Sequence, residues 1–185
     1  MAVEEGLAAA IRAAATANWQ KVTGPDELAF QRRPLRSTSA LDDGATHNGP
    51  YHEAANLSGL WGREGMTPIL FILENNQYGM GTSQARAMSS RSIAKKAEAF
   101  EMANEFVDGM DVLAVREATM RAVARARKDY LPTLLEIRTY RFMGHSMSDP
   151  GNYRTRAVIE KYQERDPIKL FSASLLEEKI FDEKT

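Results

Sequence analysis

The sequence predicts an α/β fold in which a mostly parallel sheet is flanked by helices. Segments of strand length alternate with segments of helical length, which is the pattern of such layered folds. A loop rich in Gly and Asn directly follows the apolar segment 68–73, as at the carboxyl end of a buried strand. The 185 residues, 43% hydrophobic and 26% charged, suffice for one ordinary domain with its own core.

The first half of the chain begins with a helical pattern and then loses it. Residues 4–18 are dominated by Ala, Leu and Ile and predict a helix. Residues 21–40 have no periodicity and contain Gly and Pro, so they predict a loop or a poorly formed strand. Residues 50–61, with Pro in the first turn, predict a helix, and the Ile-, Leu- and Phe-rich residues 68–73 predict a buried strand.

The second half continues the alternation of strands and helices. Loops rich in turn-forming residues are predicted at 75–83 and 143–152. Apolar periodicity predicts strands at 112–115 and 133–140, and helices at 92–103, 116–128, 153–162 and 167–176.

Composition excludes several classes of protein. The 24 Lys and Arg residues against 25 Asp and Glu give a net charge of -1 without long blocks of one sign, which argues against a nucleic-acid-binding protein. The absence of cysteine excludes disulfides, thiolate zinc sites and a cysteine nucleophile. No uninterrupted apolar window is long enough to cross a membrane. Because Glu4 and Glu5 do not fit a signal peptide or presequence, no targeting segment is visible and we expect an intracellular protein.

Three loops that follow predicted strands are expected to meet at one edge of the sheet, where ligands bind in such folds: 43–50, 75–83 and 143–152. The separation of Gly44 from Asn75 is that of one βαβ crossover, so Asp43 and Asn76 can face each other. Carboxylate, amide and carbonyl oxygens are hard ligands, which Mg²⁺ combines with phosphate oxygens and water. The chemistry indicated is the capture of a diphosphate through magnesium.

The strings that carry this pattern resemble a known family. Residues 42–44 (DDG) and 74–83 (ENNQYGMGTS) are similar to the thiamine diphosphate motif, which opens with Gly-Asp-Gly and closes with Asn-Asn. Residues 107–111 (VDGMD), 115–119 (VREAT) and 139–151 (TYRFMGHSMSDPG) resemble the alpha subunit of the pyruvate dehydrogenase first component. Several matching strings in the right order are more specific than the diphosphate motif alone.

The resemblance implies a cofactor site made of thiamine diphosphate and Mg²⁺. Asp43 and Asn76 match the residues that bind the metal, and Tyr78 matches the residue that gives its backbone carbonyl. Gly44 matches the glycine that follows the metal-binding Asp in the motif.

The resemblance also assigns roles to residues of the second loop. Arg141 and His145 match residues that contact the diphosphate from a mobile loop. His145 also matches the His implicated in acetyl transfer to lipoate, and imidazole titrates in the pH range that proton transfer requires. Ser146 matches a serine that is phosphorylated to inactivate eukaryotic members, and it can equally be an unmodified loop serine.

The implied reaction is oxidative decarboxylation of pyruvate, the product of glycolysis, with transfer of the acetyl group to the lipoyl domain of the acetyltransferase component for acetyl-CoA formation. In this family the beta subunit supplies the Glu that activates the cofactor. The working unit implied is therefore an αβ heterotetramer, and the chain alone is expected to be inactive. The compartments implied are the mitochondrial matrix or the bacterial cytoplasm.

Departures from the family leave alternatives open. Asp42 replaces the first glycine of the motif, and residues 36–39 are too polar for the buried strand expected before it. The sequence thus divides into an atypical N-terminal helix and loop, 1–41, and a thiamine diphosphate and magnesium domain, 42–185, apparently truncated at its N-terminus. A branched-chain 2-oxo acid dehydrogenase alpha subunit and a non-catalytic truncated fragment are the two alternatives.

Overall fold

The computed structural model describes residues 38–180, with side chains from residue 41 onward. The helix predicted at 4–18 and most of the segment 21–40 lie outside the described residues. So does nearly all of the region 1–41.

A four-stranded parallel sheet forms the centre of the described chain, with strand order β1-β2-β6-β5. A separate two-stranded antiparallel ribbon, β3 and β4, follows β2. The six strands are β1 (Thr38–Asp42), β2 (Leu70–Asn75), β3 (Tyr78–Gly79), β4 (Thr82–Ser83), β5 (Ala103–Asp108) and β6 (Thr133–Arg138).

The helices connect these strands and flank the sheet. They are α1 (Gly49–Gly62), α2 (Gln84–Ala87), α3 (Val112–Asp129), α4 (Arg156–Gln163) and α5 (Pro167–Glu177). Two 3₁₀ helices cover Gly44–His47 and Ala94–Phe100. The fold class predicted from the sequence is confirmed.

Local sequence explains where the longer helices begin. Asn48 caps α1, since its side-chain oxygen accepts a 2.9 Å hydrogen bond from the Tyr51 amide, and Pro50 lies in the first turn. Asp111 caps α3 by accepting bonds from the amides of Leu113 and Ala114. Both helices therefore start directly after a polar cap.

Two predicted elements differ from the structure, and one strand of the structure was not predicted. The strand predicted at 112–115 is wrong, because Asp111 caps a helix there and these residues form the first turn of α3. The strand before it, β5, was not predicted, because its residues alternate weakly and most are only half-buried. The helix predicted at 92–103 is a 3₁₀ helix that ends at Phe100.

The strand β1 covers a segment for which the sequence predicted a loop or a poorly formed strand, with residues 36–39 too polar for a buried strand. Residues 38–42 pair in parallel register with residues 70–74 of β2, so the second of these two alternatives is closer to the structure. Parallel pairing uses main-chain groups, and β1 lies at one end of the described sheet, where burial on both faces is not required.

The core lies between the sheet and the elements that cross it. Its fully buried members include Leu73 of β2, Leu134 of β6 and Ala55 of α1, with Ile93 and Ala97 around the second 3₁₀ helix. The apolar runs of β2 and β6 are buried because both are central strands. This packing fixes the carboxyl ends of β1, β2 and β6 at one edge of the sheet.

Candidate functional site

Asp43 stands immediately after β1, in the turn that leads into the first 3₁₀ helix. The neighbouring Asp42 caps that turn, since its Oδ1 accepts a 2.9 Å hydrogen bond from the Ala45 amide. Thr46 donates its hydroxyl to the Asp43 carbonyl at 2.8 Å, which fixes the main chain. The Asp43 carboxylate makes no capping bond and remains available to a ligand.

The electrostatics of Asp43 are unusual for a carboxylate. Its side chain is buried, and its Oδ1 has no hydrogen-bond partner among the described residues. Burial, followed by the charge of Asp42, raises the pKa of Asp43 from 3.8 to about 6. A buried oxygen without a donor is suited to a cation, which would supply the missing compensation for burial.

A second turn, residues 75–78, follows β2 and presents two further oxygens. The Asn76 Oδ1 accepts a 3.1 Å bond from the Tyr78 amide, and the Asn75 Oδ1 accepts a 3.0 Å bond from the Gln77 amide. Gln77 between them has φ of 73°, a left-handed conformation that is uncommon for a residue with a side chain. Two consecutive hydrogen bonds from main-chain amides to asparagine side chains therefore hold this turn.

The two turns touch through glycine. A Cβ added to Gly44 would lie 3.1 Å from the Cα of Gly79, and one added to Gly79 would lie 3.3 Å from the Cα of Gly44. Both distances are tighter than most Cβ contacts, so a side chain at either position would push the two main chains apart by a few tenths of an ångström. The structure thus brings the Asp43 turn and the Asn76 turn together, as the sequence predicted.

Arg141, which follows β6, binds the second of these turns through its positively charged guanidinium group. Its Nη2 donates to the Asn76 Oδ1 at 3.2 Å and to the Tyr78 carbonyl at 3.0 Å, and its Nη1 donates to the Met80 carbonyl at 3.1 Å. The same guanidinium acts on the Asp43 carboxyl to lower its pKa, although burial dominates. Two of the three oxygens predicted from the sequence as metal ligands, the Asn76 Oδ1 and the Tyr78 carbonyl, therefore accept hydrogen bonds from the Arg141 guanidinium.

His145 and Ser146 lie in an exposed loop after Arg141. Within the described residues, no hydrogen bond joins the His145 side chain to Asp43 or Asn76; its main-chain amide donates to the Asp149 Oδ2 at 2.7 Å. The Ser146 Oγ lies 3.1 Å from the Ser148 Oγ.

Asp149 organises that loop. Its carboxylate accepts bonds from the Tyr153 hydroxyl at 2.7 Å, the His145 amide at 2.7 Å and the Gly151 amide at 2.9 Å. These donors, the Tyr153 hydroxyl first, lower the pKa of Asp149 to about 2. The loop that carries His145 is thus tied to a single charged acceptor.

Arg154 is a residue of the site that sequence reasoning missed. Its guanidinium lies 5.8, 5.6 and 5.2 Å from the ring centres of Tyr78, Tyr140 and Tyr153. It also donates to the carbonyls of Arg141 and, at 2.7 Å, Met143. The signal in the sequence was three tyrosines, one inside the predicted loop 75–83 and two beside the predicted loop 143–152.

Glu136 is the second residue that was missed. It is fully buried in β6 and accepts hydrogen bonds from Asn75, Ser92 and Ala94. The signal in the sequence was a charged residue between Leu135 and Ile137 of a predicted buried strand, which marks the position as unusual but does not indicate its partners.

Comparison with known proteins agrees with this arrangement. The profile of the family described as "Dehydrogenase E1 component" matches residues 6–185. The chain belongs to this family. The match begins well before residue 42, where the resemblance seen in the motifs begins. Members of the family depend on thiamine diphosphate.

Similar proteins carry one name. The chain is 41% identical over 164 residues to the pyruvate dehydrogenase E1 component subunit alpha of Rickettsia felis, covering 89% of this chain and 47% of the relative. It is 46% identical over 147 residues to that of Porphyra purpurea, covering 79% and 42%. It is 39% identical over 181 residues to the chloroplastic alpha-3 subunit of Arabidopsis thaliana, covering 98% and 40%. The chain spans less than half the length of each relative.

Two further features are absent from the described residues. Residues 38–180 contain no group of three or more Asp, Glu or His side chains that could hold a metal ion. In that part of the chain, no helix is both long and apolar enough to cross a membrane. The candidate site described above is of another kind, because its oxygen donors are one carboxylate, one side-chain amide and one main-chain carbonyl.

Proposed function

We propose that this chain is the cofactor-binding part of a pyruvate dehydrogenase alpha subunit and binds thiamine diphosphate together with Mg²⁺. The observation that carries the proposal is the buried, unpartnered Oδ1 of Asp43. It lies in a turn that contacts the turn of Asn76 and Tyr78 through Gly44 and Gly79. One carboxylate, one amide and one carbonyl leave room in an octahedral Mg²⁺ site for diphosphate oxygens and water.

The residues present fit such a group. Asp43, Asn76 and the Tyr78 carbonyl would hold the metal, which in turn holds the diphosphate, and Gly44 keeps the first turn close to the second. When bound, the cofactor supplies the electron sink that decarboxylation of a 2-oxo acid requires. The chain contributes binding, orientation and charge at the sheet edge.

Arg141 and His145 are proposed to act on the anionic part of the site. The Arg141 guanidinium donates to the Asn76 Oδ1 and the Tyr78 carbonyl, so it would release these two oxygens to the metal and would then be close enough to donate to the diphosphate. His145 is exposed on the loop held by Asp149, from which it can reach either the diphosphate or an acetyl group. We assign it proton transfer or diphosphate pairing during acetyl transfer.

Pyruvate, rather than a branched-chain 2-oxo acid, is the proposed substrate, because the relatives at 38–46% identity are named as pyruvate dehydrogenase subunits. The proposed partners are the beta subunit, in an αβ heterotetramer, and the lipoyl domain of the acetyltransferase component. We propose that decarboxylation requires the beta subunit. Robust turnover of pyruvate by the purified chain alone would contradict this requirement.

Relatives that are bacterial and chloroplastic support an intracellular location, in a bacterial cytoplasm or inside an organelle. Ser146 is proposed as a phosphorylation site. Its hydroxyl is exposed, and a phosphate of about -1.5 to -2 charges beside a diphosphate would oppose binding by repulsion. In a complex reconstituted with beta subunit, Ser146→Glu should then reduce activity more than Ser146→Ala; equal activities would remove this role.

The experiment that tests cofactor binding is a thermal shift of the purified chain with Mg²⁺, thiamine diphosphate, both or neither. Both together should raise the melting temperature more than either alone. Asn76→Ala should abolish this gain, whereas Asn104→Ala, which removes a half-buried amide of β5 outside the site, should keep it. A parent chain that shows no shift with both ligands, or an Asn76→Ala chain that keeps the full shift, would overturn the proposal.

A further inference from the structure

The buried carboxylate of Glu136 has a place in the fold that packing does not explain. Glu136 is 0% exposed in β6, a central strand of the sheet, whose other residues from 133 to 137 are Thr, Leu and Ile. Its neighbours along the strand, Leu135 and Ile137, are apolar and buried. A buried ionisable group is normally found only where it has hydrogen-bond or charge partners. Each of its two carboxylate oxygens has such partners, and the two sets of partners belong to different parts of the site.

The first oxygen, Oε1, leads to the turn 75–78. It accepts a 2.7 Å hydrogen bond from the Asn75 Nδ2 and lies 4.0 Å from a nitrogen of Arg138. Asn75 gives its second amide proton to the Gln84 Oε1 at 3.0 Å, and its own Oδ1 accepts from the Gln77 amide. Glu136 thus fixes the side chain that holds Gln77 in its left-handed conformation, between Asn76 and Tyr78.

The second oxygen, Oε2, leads to the other turn. It accepts bonds from the Ser92 hydroxyl at 2.9 Å and the Ala94 amide at 2.8 Å, at the start of the second 3₁₀ helix. Within that helix, Lys96 donates its Nζ to the Thr46 carbonyl at 3.3 Å. Thr46 in turn binds the Asp43 carbonyl. One carboxylate therefore connects to both turns that carry the proposed ligands.

We propose that Glu136 is a positioning residue that holds the Asn76–Tyr78 turn and the Asp43 turn in the relative placement that a cation requires. This inference rests on the proposed cofactor function. Groups that orient metal ligands through hydrogen bonds typically change metal affinity by about 10–100-fold when they are lost. An apolar residue of similar volume would fill the same space and would leave Asn75, Ser92 and Ala94 without their acceptor.

The variant Glu136→Gln distinguishes positioning from packing because it keeps the shape and removes one acceptor. If its nitrogen faces Ala94, two N–H donors meet at that amide; if its nitrogen faces Asn75, two amide donors meet there instead. One of the two connections is lost in either orientation. Glu105→Gln is the matched control, since Glu105 occupies the neighbouring strand β5 and its partner Arg121 is exposed.

A second variant should restore what the first removes. In Asn75→Asp/Glu136→Gln, the amide at position 136 donates to the carboxylate at position 75, while its oxygen accepts from Ala94 and Ser92. The carboxylate at position 75 still accepts from the Gln77 amide. The pair keeps its net charge. Its hydrogen bonds are kept when the Gln84 amide turns to donate to position 75, which gives up the exposed 3.3 Å bond from the Gln84 Nε2 to the Arg91 carbonyl. If the hydrogen bond between positions 75 and 136 positions the turns, the double variant should recover the hydrogen-exchange protection and Mg²⁺ affinity that Glu136→Gln loses. If a carboxylate is needed at position 136 itself, the double variant should not recover them.

The first measurement needs no ligand. Hydrogen exchange followed by mass spectrometry should show lost protection in peptides covering 75–84 or 92–97 in Glu136→Gln. Protection should return in the double variant and remain unchanged in Glu105→Gln. Unchanged exchange in both peptides of Glu136→Gln would overturn the inference, whatever the parent chain does with cofactor.

The second measurement is the dissociation constant for Mg²⁺ at saturating thiamine diphosphate, by calorimetry on the same 185-residue chains. Glu136→Gln should weaken Mg²⁺ binding by about 10–100-fold, and the double variant should recover most of this loss. A parent that does not bind Mg²⁺ refutes the proposed function. A parent and a Glu136→Gln chain that bind equally well refute only the positioning role.

Discussion

The Asp43 carboxylate is expected to lower the stability of the chain while being required for cation binding, and Asp43→Asn separates these two effects. The side chain is 2% exposed, and burial together with the charge of Asp42 raises its pKa from 3.8 to about 6. Asn has nearly the same shape and carries no charge at any pH. Removing the charge should therefore stabilise the fold in the absence of a cation and abolish the gain from Mg²⁺.

The magnitude follows from the size of the pKa shift. A rise from 3.8 to about 6 is about 2 pKa units, and at about 1.4 kcal/mol each this is about 3 kcal/mol. Between about pH 4 and pH 6, the folded chain keeps a proton on Asp43 that the unfolded chain has released. The free energy of unfolding therefore falls as the pH rises through this window. Above about pH 6, Asp43→Asn should be more stable than the parent by up to about 3 kcal/mol.

Urea unfolding followed by circular dichroism at about pH 4, 6 and 8 measures this difference. The advantage of Asp43→Asn should be small at the lowest pH and largest at the highest. Asp111→Asn is the control, because Asp111 is an exposed helix cap and Asn caps equally well. If Asp43→Asn is no more stable than the parent at about pH 8 without Mg²⁺, the reasoning about the buried charge is refuted.

Three further predictions concern residues outside the proposed ligands. Gly109→Ala should cost about 1–3 kcal/mol in urea unfolding, because a Cβ there would lie 2.7 Å from the Arg138 carbonyl oxygen. Gly49→Ala, with no heavy atom within 4 Å of its Cβ, should cost much less, and equal costs would contradict the packing argument. Asp111→Ala should cost about 1 kcal/mol and Asp111→Asn almost nothing; equal stability of the two in thermal melts would exclude the cap. The pKa of Asp149, about 2, means that its bonds favour the ionised form, so loop order is complete above about pH 4 and lost as pH falls through about 2. Asp149→Asn at neutral pH should then raise hydrogen exchange across residues 145–151, and unchanged exchange would show that the loop does not depend on this charge.

The elements that the sequence predicted correctly share a strong local signal. Residues 68–73 are apolar throughout, Leu134, Leu135 and Ile137 give an apolar signal to the strand around 133–140, and the helix at 50–61 has Pro in its first turn. The errors fall where tertiary position decides. Residues 112–115 carry an apolar run that fits a strand or a helix, and only the cap at Asp111 assigns it to α3. The half-exposed strand β5 lacks the alternation that periodicity detects.

The candidate site could be predicted as far as its motifs extend. The topology of a parallel sheet places residues after β1, β2 and β6 at one edge, so the contact between the turns of Gly44 and Gly79 follows from the order of the strands. The supporting residues could not be predicted in the same way. Arg154 contacts Tyr140 and Tyr78, which lie 14 and 76 positions earlier in the sequence, and Glu136 joins Asn75 across 61 positions. Such contacts depend on the folded arrangement, which no local pattern records.

Asp42 shows how a departure from the family motif can be compatible with the site. In the sequence, a second carboxylate beside a proposed metal ligand looks unfavourable, because like charges repel. In the structure, the Asp42 side chain caps the turn through the Ala45 amide, so the Asp43 carboxylate makes no capping bond and is free for a cation. The charge of Asp42 also raises the pKa of Asp43. The same repulsion that lowers stability without a cation would strengthen the attraction for a Mg²⁺ bound at Asp43, because a divalent cation there would offset the charge of both carboxylates.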